Sequence, residues 1–122
     1  MLRKLVLTLA LGLGLAVAAN AQRKEIKVIT TVESVVPGGL GRSRMISTDS
    51  LGTLEETKME NFFSLVGINF GNIKDNDQTI ATKMSQMLNA GWRLENVNSG
   101  VYSADKSTGI FITRYIFVRE RK

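Results

Sequence analysis

The stretch best suited to binding chemistry is Pro37-Gly38-Gly39-Leu40-Gly41, followed closely by Arg42 and Arg44. Glycines let backbone N–H groups approach a ligand, and two guanidinium groups beside them could hold an anion. No Gly-Lys-Ser/Thr follows, as a phosphate-binding loop requires. No helix opens there, as the dinucleotide fingerprint requires. A turn between two strands accounts for the same residues, so Arg42 and Arg44 are candidate ligand contacts only under an anion-binding reading. Asp75-Asn76-Asp77-Gln78-Thr79 begins like a calcium loop, but Ile80 stands where its glycine belongs and Gln86 where its closing Glu belongs. Helix capping explains these side chains better.

Other groups could do acid–base work. Glu55, Glu56 and Glu60 are close in sequence, and Glu33 and Glu95 could meet across strands. None sits in an obviously apolar run that would raise its pKa. Tyr102 and Tyr115 with Arg93 and Arg114 could form a basic aromatic surface for single-stranded nucleic acid. The chain has no histidine and no cysteine. That excludes Ser-His-Asp and Cys-His nucleophilic sites, thiolate zinc sites, His-ligated metals and a lipid anchor on cysteine. The expectation is a non-enzyme with no cofactor and no metal.

These side chains must be positioned by a small set of elements. The chain has 122 residues, 43% of them hydrophobic, which fits one globular domain. Its formal charge is +5. Two of the basic residues, Arg3 and Lys4, fall in the leader described next, and the remaining excess is scattered. No nucleic-acid partner is expected.

Met1–Ala21 reads as a signal peptide: Arg3 and Lys4, an apolar run over Leu5–Val17, then Ala19-Asn20-Ala21 as a cleavage site. The run is shorter than the roughly 20 apolar residues of a membrane span. The expected product is a periplasmic or secreted domain over residues 22–122, with no membrane contact after cleavage.

Ile80, Met84, Met87, Leu88 and Gly91 recur with helical spacing. A helix is expected from an N-cap among Asp75, Asn76 and Asp77 to a stop at Gly91, its methionines packing as core filler. Trp92 and Leu94 then open a strand to Tyr102, bulged so that Val97 and Val101 also face inward. Lys24–Val36 alternates as a strand, with Ile26, Val28, Thr30 and Val32 on one face. Arg44–Thr48 and Leu54–Met59 read as a hairpin around Asp49-Ser50-Leu51-Gly52, with a short helix over Leu54–Val66 as the alternative. Phe62–Gly71 is expected to be a buried, irregular connection. Ser103–Gly109 reads as a turn.

Gly109–Arg119 is apolar on both faces: Ile110, Ile112, Ile116 and Val118 on one, Phe111, Tyr115 and Phe117 on the other. One face can take the helix. The other needs cover from the Phe62–Phe70 segment or from a second copy, so a homodimer is possible.

Gly91-Trp92-Arg93-Leu94 and Tyr115-Ile116-Phe117-Val118-Arg119 resemble the corresponding strands of the small bacterial domain-of-unknown-function 4177 family. The resemblance covers the helix, the last two strands and loosely Glu25–Val32, but not Pro37–Gly71. Arg93 stands where that family usually has Glu. The resemblance implies a compact α+β module and lends no catalytic residue.

The fold expected is therefore α+β: an antiparallel sheet of four to five strands with one amphipathic helix packed across it. The function expected is a small exported module that binds a partner protein or a cell-envelope component. The alternative is a small-ligand or anion-binding protein that uses the 37–44 loop and the 62–70 segment.

Overall fold

The computed structural model describes residues 23–36, 42–64, 66–103 and 108–121. The expected signal peptide, Pro37–Gly41 and most of the expected Ser103–Gly109 turn lie outside them. Among the described residues the elements run β1 (Lys24–Val35), β2 (Ser43–Asp49), β3 (Leu54–Met59), β4 (Phe63–Ser64), β5 (Gly67–Ile68), α1 (Phe70–Asn89), β6 (Arg93–Ser103) and β7 (Gly109–Glu120). Five strands form one antiparallel sheet in the order β3-β2-β1-β7-β6, and α1 packs on one face. This is the expected α+β arrangement. Leu54–Met59 is a strand and not a helix.

The β2–β3 turn is locally specified. The Asp49 carboxylate accepts from the Leu51 and Thr53 N–H groups at 2.9 and 3.0 Å, and Gly52 takes the left-handed φ of 81°.

α1 starts earlier than its sequence suggests. The N-cap is Asn69, whose side chain accepts from Asn72 N–H at 3.0 Å. Asp75, Asn76 and Asp77 therefore lie inside the helix and cap nothing. At the other end Gly91 N–H reaches Leu88 O and Trp92 N–H reaches Met87 O, both at 3.1 Å. With Gly91 at φ 86°, this is a Schellman stop.

The stop delivers Trp92 to the core. Its indole is 8% exposed and packs with Ile29, Met45, Met59, Met87 and Phe117. The Arg119 guanidinium lies over the ring at 4.3 Å. Arg119 donates Nε–H and Nη2–H to Glu25 and Nη1–H to Ala90 O. One side chain thus ties β7 to β1 and to the helix end.

The Phe62–Phe70 segment, expected to be irregular and buried, is neither: β4 and β5 pair as a short antiparallel hairpin, Phe63 opposite Ile68 and Ser64 opposite Gly67, and its later part is exposed. Val66, Ile68 and Phe70 are 95%, 55% and 75% exposed. Only part of it is engaged: the Phe62 ring meets Phe111 at 5.6 Å, and Phe62 N–H donates to Ser34 O. Anchoring comes instead from Asn61, which bonds Val36 N–H and the carbonyls of Val36 and Phe63. Polar pairing fixes this connection where burial was expected to.

Candidate functional site

The sheet register decides which residues share a face, because directly opposed residues point the same way. Ile29 opposes Tyr115 and Ser47; Lys27 opposes Phe117; Thr31 opposes Met45. These belong to the helix side, since Ile29, Phe117 and Met45 join Met87 and Trp92 in the core. The Phe62–Phe111 contact lies on that side too, because Phe111 is in step with Phe117. Phe62 therefore packs on the helix side and not on the second apolar face of β7.

That second face is open among the described residues. Ile26 pairs with Val118, Val28 with Ile116, and Val32 with Ile112; Ile46 lies beside Thr30 on the β2 side. At about 4.8 Å per strand and 3.3 Å per residue, five strands of some eight residues make a face of roughly 600 Å². Its apolar part is the central stripe on β1 and β7, and Arg44, Glu56, Lys58, Asn96, Asn98 and Arg114 make its margins polar; an apolar stripe rimmed by polar residues is the form that interaction surfaces take. The face is half-buried at its centre and more open at its margins, where Ile26, Leu54 and Tyr102 are 47%, 58% and 65% exposed.

Two features break its flatness. Gly100 leaves a shallow depression rimmed by Asn98, Tyr102 and Arg114, with Ile112 as its neighbour on β7. A Cβ built on Gly100 meets nothing within 4 Å, so the space is open. Arg114 is exposed, opposes Thr30, and makes no ion pair among the described residues.

The sequence-derived candidates are dispersed. Arg44 lies on the open face and bonds Glu56 at 2.7 Å. Arg42 is exposed and unpaired among the described residues. Glu55 projects to the helix side and bonds Lys83 at 2.9 Å, so Glu55 and Glu56 diverge. Glu33 and Glu95 do not meet: Glu33 faces the helix, and Glu95 sits at the β6 bulge bonded to Arg93. Tyr115 lies on the helix side, away from Tyr102, Arg93 and Arg114, so the four do not form one surface. Leu94, Val97 and Val101 share the helix side, but β6 lies beyond the helix's cover and leaves them 42%, 46% and 67% exposed. The bulge itself is present, between Leu94 and Asn96.

The most concentrated polar group was missed at the sequence level. Asn76 is 1% exposed. Its Oδ1 accepts from Glu60 N–H at 2.7 Å, and its Nδ2 donates to Glu60 O at 2.8 Å and to Glu33 Oε1 at 3.2 Å. A signal was available: Asn76, Ile80, Met84 and Met87 continue one helical stripe, with an amide where an apolar residue belongs.

Burial pushes the Glu33 carboxyl above the usual range; the Asn76 N–H opposes this, and the Asp77 charge adds to it. Tyr115 is raised by burial, by Glu33 and by Asp77. A folded pKa above the unfolded one gives stability that is full below the unfolded value and is lost as pH rises through the folded one. Glu33→Gln keeps an oxygen for Asn76 and removes that loss. It is expected to raise the melting temperature at pH 7 and to leave it nearly unchanged at pH 4. An equal effect at both pH values would contradict this assignment.

Among the described residues no three His, Cys, Asp or Glu side chains converge as a metal site, and no helix is long and apolar enough to cross a membrane. Comparisons with protein-family models, with curated proteins and with solved structures find no match to the chain.

Proposed function

We propose that this chain is a small exported, non-catalytic binding module whose open sheet face docks a partner protein or a cell-envelope component. The observation that carries the reading is that face: paired isoleucines and valines on β1 and β7 that no described element covers. Its form favours a broad partner surface over a small molecule, because ligand sites are concave and enclose most of their ligand. Of the residues the anion-binding alternative would use, Phe70 is exposed and Arg44 is paired with Glu56, while Pro37–Gly41 lie outside the described residues. Arg114, without an ion pair among the described residues, lies beside the Gly100 depression and suits a partner that presents an apolar side chain next to a carboxylate. The likeness to the 4177 family adds no catalytic residue. Export rests on the leader, and mass spectrometry of the exported fraction is expected to find a chain starting at Gln22.

A photo-crosslinking residue at Ile116 is expected to capture a partner in the envelope or exported fraction. The same residue at Gln86, on the exposed side of the helix, is expected to capture none. A Cβ at Gly100 meets nothing within 4 Å, so Gly100→Phe is expected to fill the depression and abolish the capture while leaving the melting temperature unchanged. Equal capture from both positions, or capture that survives Gly100→Phe and Ile112→Asp alike, would rule the face out.

A further inference from the structure

The two edges of the sheet differ in kind. β3 is 6 residues long and carries Glu55, Glu56 and Lys58, with Glu55 and Glu56 held in ion pairs. Charges on a short strand are how sheets discourage pairing with another chain. β6 is 11 residues long and exposed throughout, and its outer side has no strand neighbour among the described residues. Its only charged side chains, Arg93 and Glu95, lie at its start and neutralise each other. From Asn96 to Tyr102 there is no charge and no proline. The bulge ends before Asn96, so it leaves this stretch regular.

The same stretch is self-complementary. In an antiparallel pair of β6 strands related by a two-fold axis at Ser99, Val97 of each copy faces Val101 of the other. Asn98 then faces Gly100, and Asn96 faces Tyr102. Val97 and Val101 point to the helix side of the sheet but lie beyond the helix, 46% and 67% exposed. Pairing would cover both, twice over, and would satisfy the outward backbone groups of β6.

We infer that a second copy of this chain docks along β6, edge to edge, and continues the sheet through both copies with Ser99 on the axis. This inference goes beyond the open face and does not depend on it: the pairing uses the sheet edge and leaves that face free in each copy. The interface is small, below about 1,200 Å², where associations are weak or transient.

The test uses protein purified after expression of the full chain, with its N terminus established by mass spectrometry. Light scattering over a concentration series is expected to show the mass rising from one copy toward two. Val97→Lys with Val101→Lys sets lysines against each other and is expected to hold the chain at one copy, with an unchanged melting temperature because both side chains are exposed. Val97→Lys with Val101→Glu places opposite charges across the axis and is expected to restore the dimer. The natural chain has no cysteine, so Ser99→Cys is a unique probe. It is expected to form a disulfide-linked dimer on oxidation, whereas Ser85→Cys on the exposed helix surface is not. A monomer at every concentration would overturn the inference. So would a dimer indifferent to the lysine pair but lost in Ile116→Lys, which would place the second copy on the open face.

Discussion

Trp92→Ala is expected to cost about 3–5 kcal/mol, the range for removing a large buried aromatic side chain. For a domain of this size that corresponds to a fall of roughly 12 °C or more in melting temperature. The indole is the junction between the helix stop and the sheet, touching residues of both. Its loss opens a cavity against Phe117 and Met87 and deprives Arg119 of the ring beneath its guanidinium. The Arg119–Glu25 pair is more than a third exposed and cannot make up the difference. Trp92→Phe refills part of the space and is expected to fall between the two. Urea unfolding followed by circular dichroism reads all three, and equal midpoints for Trp92→Ala and the natural chain would remove Trp92 from the core.

Asn76→Asp is expected to be the second severe change, costing about 3 kcal/mol or more at pH 7. The substitution barely alters volume. It replaces a donor with an acceptor, so Glu60 O and Glu33 Oε1 lose their N–H partner and face a buried negative charge instead. Only the Glu60 N–H contact remains favourable. The new acid's folded pKa is raised by burial and by Glu33, so its penalty is absent below the pKa of the unfolded acid and grows as pH rises through the folded value. Stability should therefore recover on acidification, where a protonated Asp can again donate. Asn76→Leu leaves the Glu60 groups unpaired at every pH and is expected to be destabilising without that recovery. Parallel pH series on the two variants separate the effects, and coincident curves would refute the role assigned to the amide.

Much of the local order is legible in the chain itself. Ile80, Met84 and Met87 recur at the helical period, Gly91 marks the stop, and β7 alternates apolar residues on both faces. The start of the helix is not legible. Asn69, Asp75, Asn76 and Asp77 all carry short capping side chains, and the path by which the preceding segment arrives selects among them. The candidate site was half legible. Alternation alone puts Ile110, Ile112, Ile116 and Val118 on one face, but nothing local says that this is the face no described element covers.

Absence of histidine and cysteine, the two-residue alternation of β1 and β7, and the Gly91–Trp92 stop were settled by the sequence alone. Composition, pleat and turn are properties of neighbours along the chain. The tertiary structure decided that the helix lies over Ile29 and Phe117, that Asn76 is interior, and that β6 stands at an edge. Those outcomes depend on contacts between residues far apart in sequence, and one face of the sheet can be covered as well as the other until the connections on either side of the helix fix its position.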